Sequence, residues 1–118
     1  MNNRKTGELY EKSAASFLCE KQYRILEKNY RRKTGEIDLI ALDPDGRTIV
    51  FVEVKYRTST HQGYPEEAVN MNKQQRIRRT ATWYLKEKGM IGTVSCRFDV
   101  ISVTNGEIRH ILNAFGGF

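Results

Sequence analysis

Three residues in the middle of the chain have side-chain types and a spacing suited to binding a divalent cation. Asp38 lies one strand's length before Glu53 and Lys55, which flank Val54. Carboxylate oxygens and the backbone carbonyl of Val54 are hard ligands of the kind that Mg²⁺ prefers. A bound ion would lower the pKa of a coordinated water and neutralise charge at a phosphate, and Lys55 would stabilise the developing negative charge. The spacing therefore predicts a site for metal-assisted phosphodiester hydrolysis.

A purely structural interpretation of the same residues competes with this one. Glu53 and Lys55 could form an ion pair on an edge strand, and Asp38 could accept a hydrogen bond from a turn or a backbone amide. The bare spacing is also common by chance. However, a charge inside a central sheet is costly unless it is paired or binds a metal, so the structural context of the three residues decides between the interpretations.

Two strands must position these side chains. Residues 36–42 and 48–56 are apolar on both faces, which is typical of central strands covered on both sides, and residues 43–46 (Asp-Pro-Asp-Gly) between them predict a reverse turn. Asp38 shares a face with the Glu-x-Lys pair only if the hairpin pairs in an odd-sum register, and a one-residue slip would separate them. The sequence leaves that register open.

A helix predicted over residues 6–21 offers a fourth acidic group. At 100° per residue, Glu11 projects between Ala14, Ala15 and Leu18 on the apolar face, where a core residue is expected. Glu11 could reach the site as a further metal ligand or through a water. Glu8, one turn earlier, is the alternative candidate.

The remaining pattern completes one α/β (α+β) domain over residues 1–118, a length that fits a single core. Strands are predicted at 23–30, 97–103 and 107–112, a basic turn at 31–33, and a second helix at 65–88. The predicted order is αβββαββ, a mixed β-sheet flanked by helices. With no apolar run near the length of a membrane helix and no apolar stretch after the first basic residues, we expect a cytoplasmic protein with no membrane partner.

The charge balance points to a polyanionic partner. The net charge is +6 and the pI is near 9.5, which favours nucleic acid, although a solvated basic surface would give the same balance. Lys73 and Arg76 share one face of the second helix and could grip phosphates beside the metal. The candidate nucleic-acid-binding residues are Arg31, Arg32, Lys33, Arg57, Lys73, Arg76 and Arg79.

Four other residues attract attention but receive structural interpretations. Trp83 and Tyr84 are predicted to pack in the core rather than stack on bases. Asp99, inside an apolar strand, is predicted to be structural, and His61 in a polar loop is predicted to be incidental.

Taken together, these motifs resemble the YraN-type family of bacterial predicted endonucleases, within the PD-(D/E)XK nuclease superfamily. That family is distantly similar to archaeal Holliday-junction resolvases. The resemblance spans most of the chain. The matching segments are Gly7-x-x-x-Glu11, Ala14-Ala15-x-Phe17-Leu18, Tyr23-Arg24-Ile25-Leu26-Glu27-x-Asn29-Tyr30-Arg31, Gly35-Glu36-Ile37-Asp38-Leu39-Ile40, Phe51-Val52-Glu53-Val54-Lys55-x-Arg57, Lys73-x-x-Arg76, Ala81-x-x-Tyr84-Leu85 and Arg97-Phe98-Asp99-Val100.

The resemblance implies a restriction-endonuclease-like core, metal ligation by Asp38 and Glu53, catalysis by Lys55, and Glu11 as the helix carboxylate. Ile37 stands where the superfamily name would put proline. Tyr10 replaces a glycine often found before the helix glutamate, which keeps the choice between Glu11 and Glu8 open.

The leading hypothesis is a Mg²⁺-dependent (or Mn²⁺-dependent) endonuclease that acts on DNA, with branched or structured DNA as a candidate substrate. An accessory protein that keeps the nuclease fold and binds nucleic acid without cutting is the alternative, and a basic protein-interaction module is a third. Symmetrical cutting of two strands would favour a homodimer.

Overall fold

The chain forms one five-stranded mixed sheet and two helices in a computed structural model that describes residues 3–57 and 69–116, with side chains from residue 7 onward. The order αβββαββ confirms the predicted fold class. The elements are α1 Asn3–Glu20, β1 Arg24–Arg32, β2 Gly35–Leu42, β3 Thr48–Arg57, α2 Met71–Glu87, β4 Ser95–Thr104 and β5 Glu107–Ile111.

The strands lie in the order β1-β2-β3-β4-β5, with β3 at the centre. All neighbouring pairs are antiparallel except β3 and β4, which are parallel. A parallel pair requires a crossover connection, and α2 lies in the segment that joins these two strands. Because β3 has neighbours on both sides, it is a central strand, as the apolar pattern of residues 48–56 predicted.

The two helices bury opposite faces of the sheet. Ala14 and Leu18 of α1 pack with Leu39 and Val52 in one apolar cluster. Ile77, Ala81, Tyr84 and Leu85 of α2 pack with Ile40, Phe51 and Phe98 in the other. Neighbouring residues of one strand point to opposite faces, so the face that bears α2 also bears Asp38, Glu53 and Lys55.

The turn between β2 and β3 fixes their register. The carboxylate of Asp45 accepts hydrogen bonds from the backbone N–H groups of Arg47 and Thr48 at 2.7 and 3.0 Å, and the N–H of Asp43 donates to the carbonyl of Thr48 at 2.9 Å. Gly46 has a φ of 73°, which glycine adopts without strain. The strands consequently pair with Leu42 opposite Ile49, the odd-sum register that the site requires.

Two predicted boundaries are wrong. Helix α2 begins at Met71 rather than at residue 65, because the side chain of Asn70 caps it by accepting a hydrogen bond from the N–H of Lys73 at 2.9 Å. Residues 65–68 of the predicted helix lie outside the described part of the chain. Arg31 and Arg32 belong to β1, where they pair with Glu36 and Gly35, so the basic turn is shorter than predicted.

No helix within residues 3–57 and 69–116 combines the length and the apolar character that crossing a bilayer requires.

Candidate metal centre

The central strands bring Asp38, Glu53 and Lys55 to one face of the sheet. Pairing of Leu39 with Val52 places Asp38 opposite Glu53 when the register is continued by one residue, and antiparallel partners share a face. Glu53 is 8% exposed, and Asp38 is half-buried. The structural interpretation is wrong in placing Glu53 and Lys55 on an edge strand, because β3 is the central strand. Its ion pair is present, with Nζ of Lys55 3.6 Å from Oε1 of Glu53.

Asp38 is held by the neighbouring strand at the point where backbone pairing gives way to a side-chain contact. The N–H of Val54 donates to Oδ2 of Asp38 at 2.8 Å, whereas the backbone pairs of β2 and β3 run from Leu42–Ile49 to Leu39–Val52. The N–H and carbonyl of one residue in an extended strand face the same neighbour. The carbonyl of Val54 therefore also faces β2, toward Asp38.

Two ammonium groups share one carboxylate oxygen in this site. Nζ of Lys73, from the first turn of α2, lies 2.8 Å from Oε1 of Glu53, and Nζ of Lys55 lies 3.6 Å from the same atom. The Lys73 contact is the shorter, although Lys55 is the nearer residue in sequence. Lys73 is thus part of the site rather than only part of a surface beside it.

The electrostatic environment shifts the pKa values of the site residues. Burial, followed by the negative charge of Glu53, raises the pKa of Asp38 to about 7, against the opposing hydrogen bond from Val54. Burial and then the neighbouring Lys73 lower the pKa of Lys55. Burial works to lower the pKa of Lys73, but the hydrogen bond to Glu53 together with the negative charges of Glu53 and Asp38 outweighs burial, and the pKa rises. Strongly perturbed groups of this kind cluster at functional sites.

Helix α1 brings Glu11 near the site from the other face of the sheet. Burial raises the pKa of Glu11, the charges of Glu36 and Glu53 raise it further, and a side-chain hydrogen bond with Asn29 opposes them. Glu8 is exposed. The half-buried environment of Glu11, within the field of Glu53, favours Glu11 over Glu8 as the helix carboxylate.

The donor set fits a hard divalent ion that keeps several waters. Within residues 3–57 and 69–116, no three His, Cys, Asp or Glu side chains lie close enough together to hold an ion, so the structure does not bring Glu11 into one ligand group with Asp38 and Glu53. Mg²⁺ commonly takes one or two carboxylates with waters and phosphate oxygens as its other ligands. Asp38, Glu53 and the carbonyl of Val54 match that requirement, and direct ligation by Glu11 stays a prediction.

The predicted nucleic-acid-binding residues differ in how much of their charge is already paired. Arg32 donates to both carboxylate oxygens of Glu87 at 2.8 Å, and Arg31 lies 3.3 Å from Glu36. Arg57 is 8% exposed, which leaves little of it for a phosphate. The exposed basic residues of the predicted set are Arg31, Arg32, Lys33, Arg76 and Arg79. Their contact with nucleic acid remains a prediction.

Tyr84 is buried as predicted, whereas Trp83 is 49% exposed, so its predicted core position is wrong. Asp99 is fully buried and structural: Arg97, His110 and the N–H of Asn113 all bind its carboxylate at 2.7–3.2 Å. His61 lies outside the described residues.

Two features of the site were not predicted. The first is the contact of Lys73 with Glu53, for which the only signal was the position of Lys73 on the basic face of α2. The second is Asn29, whose φ of 52° lies in the left-handed region that asparagine tolerates best among non-glycine residues, and which binds Glu11. A lone asparagine within a predicted strand was the available signal.

Comparison with known proteins gives a family but no activity. The model of a family described as "Uncharacterised protein family UPF0102" matches residues 10–103. A UPF0102 protein of Lachnoclostridium phytofermentans is 45% identical over 118 residues, covering 100% of this chain and 98% of the relative. Similar proteins of Chlorobium phaeobacteroides and Alkaliphilus metalliredigens are each 49% identical, covering 92% of this chain and 92% and 96% of the relatives. The chain therefore belongs to UPF0102, the YraN family, as its motifs predicted.

Proposed function

We propose that this protein is a divalent-metal-dependent endonuclease that hydrolyses phosphodiester bonds in DNA. The observation that supports it best is the convergence of Asp38, Glu53 and Lys55 on one face of the sheet, where the contact of Asp38 with Val54 ends the backbone pairing of β2 and β3. Two neighbouring carboxylates with little exposure to solvent repel each other, which destabilises the fold. A purely structural role does not require such a pair, whereas a metal site does.

The residues of the chain would divide the work as follows. Asp38, Glu53 and the carbonyl of Val54 would hold Mg²⁺ or Mn²⁺, which when bound activates water and neutralises charge on the scissile phosphate. The hydrogen bond from Val54 fixes the orientation of the Asp38 carboxylate before the ion binds. Lys55, held beside Glu53, would donate to a phosphate oxygen or orient the attacking water.

Charge supports DNA as the substrate. The net charge of +6 and the exposed Arg76 and Arg79 of α2, the helix that supplies Lys73 to the site, would attract a phosphate backbone. Such contacts give affinity that falls with salt but does not depend on sequence. We therefore expect selection by DNA structure, with flaps and four-way junctions as the first substrates to test.

The experiment is cleavage of plasmid, flap and four-way-junction DNA with Mg²⁺ or Mn²⁺. We expect cleavage by the wild type, and a loss of at least about 100-fold in Asp38→Ala and Lys55→Ala, the scale of removing one preorganised catalytic group. Glu20→Ala and Lys86→Ala, at exposed positions near the far ends of α1 and α2, are the matched controls. Absence of wild-type cleavage, or equal cleavage by all variants, would refute the proposal.

One observation favours a second candidate, a nucleic-acid-binding accessory protein without activity. Both lysine ammonium groups already neutralise Glu53, so this carboxylate has partners without an ion. Gel-shift binding that survives Asp38→Ala, together with no heat of Mn²⁺ binding in calorimetry, would support this candidate over the nuclease.

A further inference from the structure

The contact of Lys73 with Glu53 occupies one of the two carboxylate oxygens that could bind a metal ion. Nζ of Lys73 lies 2.8 Å from Oε1 of Glu53, a charge-assisted hydrogen bond. The carboxylate is buried, with 9% of its side chain exposed, while the lysine side chain is 36% exposed. Glu53 is fixed in a central strand, so the longer and more exposed Lys73 is the partner that can move away.

The net formal charge of the site also changes when a divalent ion binds. Without metal, the two carboxylates of Asp38 and Glu53 face two ammonium groups, so their formal charges cancel. A neutral site attracts a phosphodiester only weakly. A divalent ion raises the formal charge of the same group by two, and an ammonium group released from Glu53 would then lie beside the ion, where a phosphate oxygen needs a donor.

We propose that Lys73 is an exchangeable counter-ion: it holds Glu53 in the metal-free protein, leaves that oxygen when a divalent ion binds, and then contacts the phosphate of the DNA. This inference rests on the proposed function, because it assumes that Glu53 is a metal ligand. It assigns to Lys73 a role that differs from a permanent phosphate contact and from catalysis by Lys55.

The first test is the affinity for Mn²⁺, measured by calorimetry without DNA. Lys73→Met removes the competing ammonium group and should bind Mn²⁺ about tenfold more tightly than the wild type, on the scale of one charge-assisted hydrogen bond. Lys73→Arg keeps a cation able to bind Glu53 and should remain near the wild type. Lys86→Met, with the same charge change near the other end of α2, is the control.

Unchanged or weaker Mn²⁺ binding by Lys73→Met would overturn the proposal. An equal gain in Lys86→Met would also overturn it, because the effect would then be long-range charge rather than release of Glu53. No binding by either the wild type or Lys73→Met would overturn it as well, whereas binding by Lys73→Met alone would support it.

The second test is the salt dependence of DNA binding, with Ca²⁺ as a divalent ion for the bound state and with EDTA for the metal-free state. With Ca²⁺, Lys73→Met should lower the slope of log affinity against log salt by about one, the loss of one phosphate contact. In EDTA the slope should not change, because Lys73 is held by Glu53. An equal reduction in both conditions would show a permanent phosphate contact and overturn the exchange.

These outcomes separate the exchange from the nuclease assignment. Tighter Mn²⁺ binding by Lys73→Met without cleavage by any protein would support the exchange and refute the nuclease. Cleavage that depends on Asp38, with identical Mn²⁺ affinities for the wild type and Lys73→Met, would support the nuclease and refute the exchange.

Discussion

Replacing Asp38 with asparagine should stabilise the metal-free protein while removing the charge that metal binding requires. The carboxylate lies beside Glu53, and burial with that charge raises its pKa to about 7. Asparagine has nearly the same shape as a protonated aspartate, and its side-chain oxygen can still accept the hydrogen bond from Val54. A residue kept at an energetic cost is expected where function rather than stability selects it.

The magnitude follows from the pKa of Asp38. The pKa rises from a reference value of 3.8 to about 7, so ionisation in the folded protein costs up to about 4 kcal/mol at 1.36 kcal/mol per pKa unit. The folded protein retains this proton at pH values where the unfolded chain has lost it, so wild-type stability falls as pH rises from about 4 to about 7. At pH 8 we expect Asp38→Asn to gain about 2–4 kcal/mol of stability. The gain is smaller than the full cost of ionisation because the amide hydrogens of asparagine also need hydrogen-bond partners.

The assay is urea unfolding followed by circular dichroism in EDTA, at pH 5 and pH 8. At pH 5 the native carboxyl is still protonated but the unfolded one is already ionised, so Asp38→Asn should be more stable than the wild type by less than about 2 kcal/mol, and by a larger margin at pH 8. Asp38→Ala should gain less, because it leaves the N–H of Val54 without its partner. Adding Mg²⁺ should stabilise the wild type only. A less stable Asp38→Asn at pH 8, or a difference that does not change with pH, would refute the reasoning.

Three further substitutions test the elements that position the site, each by its free energy of unfolding in urea. Asn70→Ala removes the cap of α2 and should lose about 1 kcal/mol. Asp99→Asn weakens a buried network with Arg97 and His110 and should lose about 3 kcal/mol at pH 7; because these contacts lower the pKa of Asp99, the difference should shrink as pH falls below about 4. Gly35→Ala introduces a side chain at a φ of 146° and should lose about 1–3 kcal/mol. Wild-type stability in any of these variants would contradict the corresponding structural account.

The sequence was sufficient to predict the strands and the face on which the three site residues could meet. Residues 36–42 and 48–56 were apolar on both faces because both faces are covered by helices. The register could not be predicted, because it depends on hydrogen bonds of Asp43 and Asp45 within the turn, and an alternative loop with the same residues would shift it by one.

The contacts that link separate elements were not predictable in the same way. Lys73 meets Glu53 only because α2 begins at Met71, and that start depends on whether Asn70 adopts the cap conformation. A helix starting at residue 65 would have the same apolar spacing. Trp83 was predicted to lie in the core because of its apolar ring, but at 100° per residue it projects away from the face that buries Ile77 and Ala81, which leaves it exposed.

The central claim is that Asp38 and Glu53 bind a divalent ion, and the most direct measurement is a crystal structure after a Mn²⁺ soak, with the ion located by its anomalous scattering. We predict an ion in contact with both carboxylates and the carbonyl of Val54, with Lys73 moved away from Glu53. A structure at saturating Mn²⁺ with no ion at these residues and the Lys73–Glu53 contact unchanged would contradict the claim.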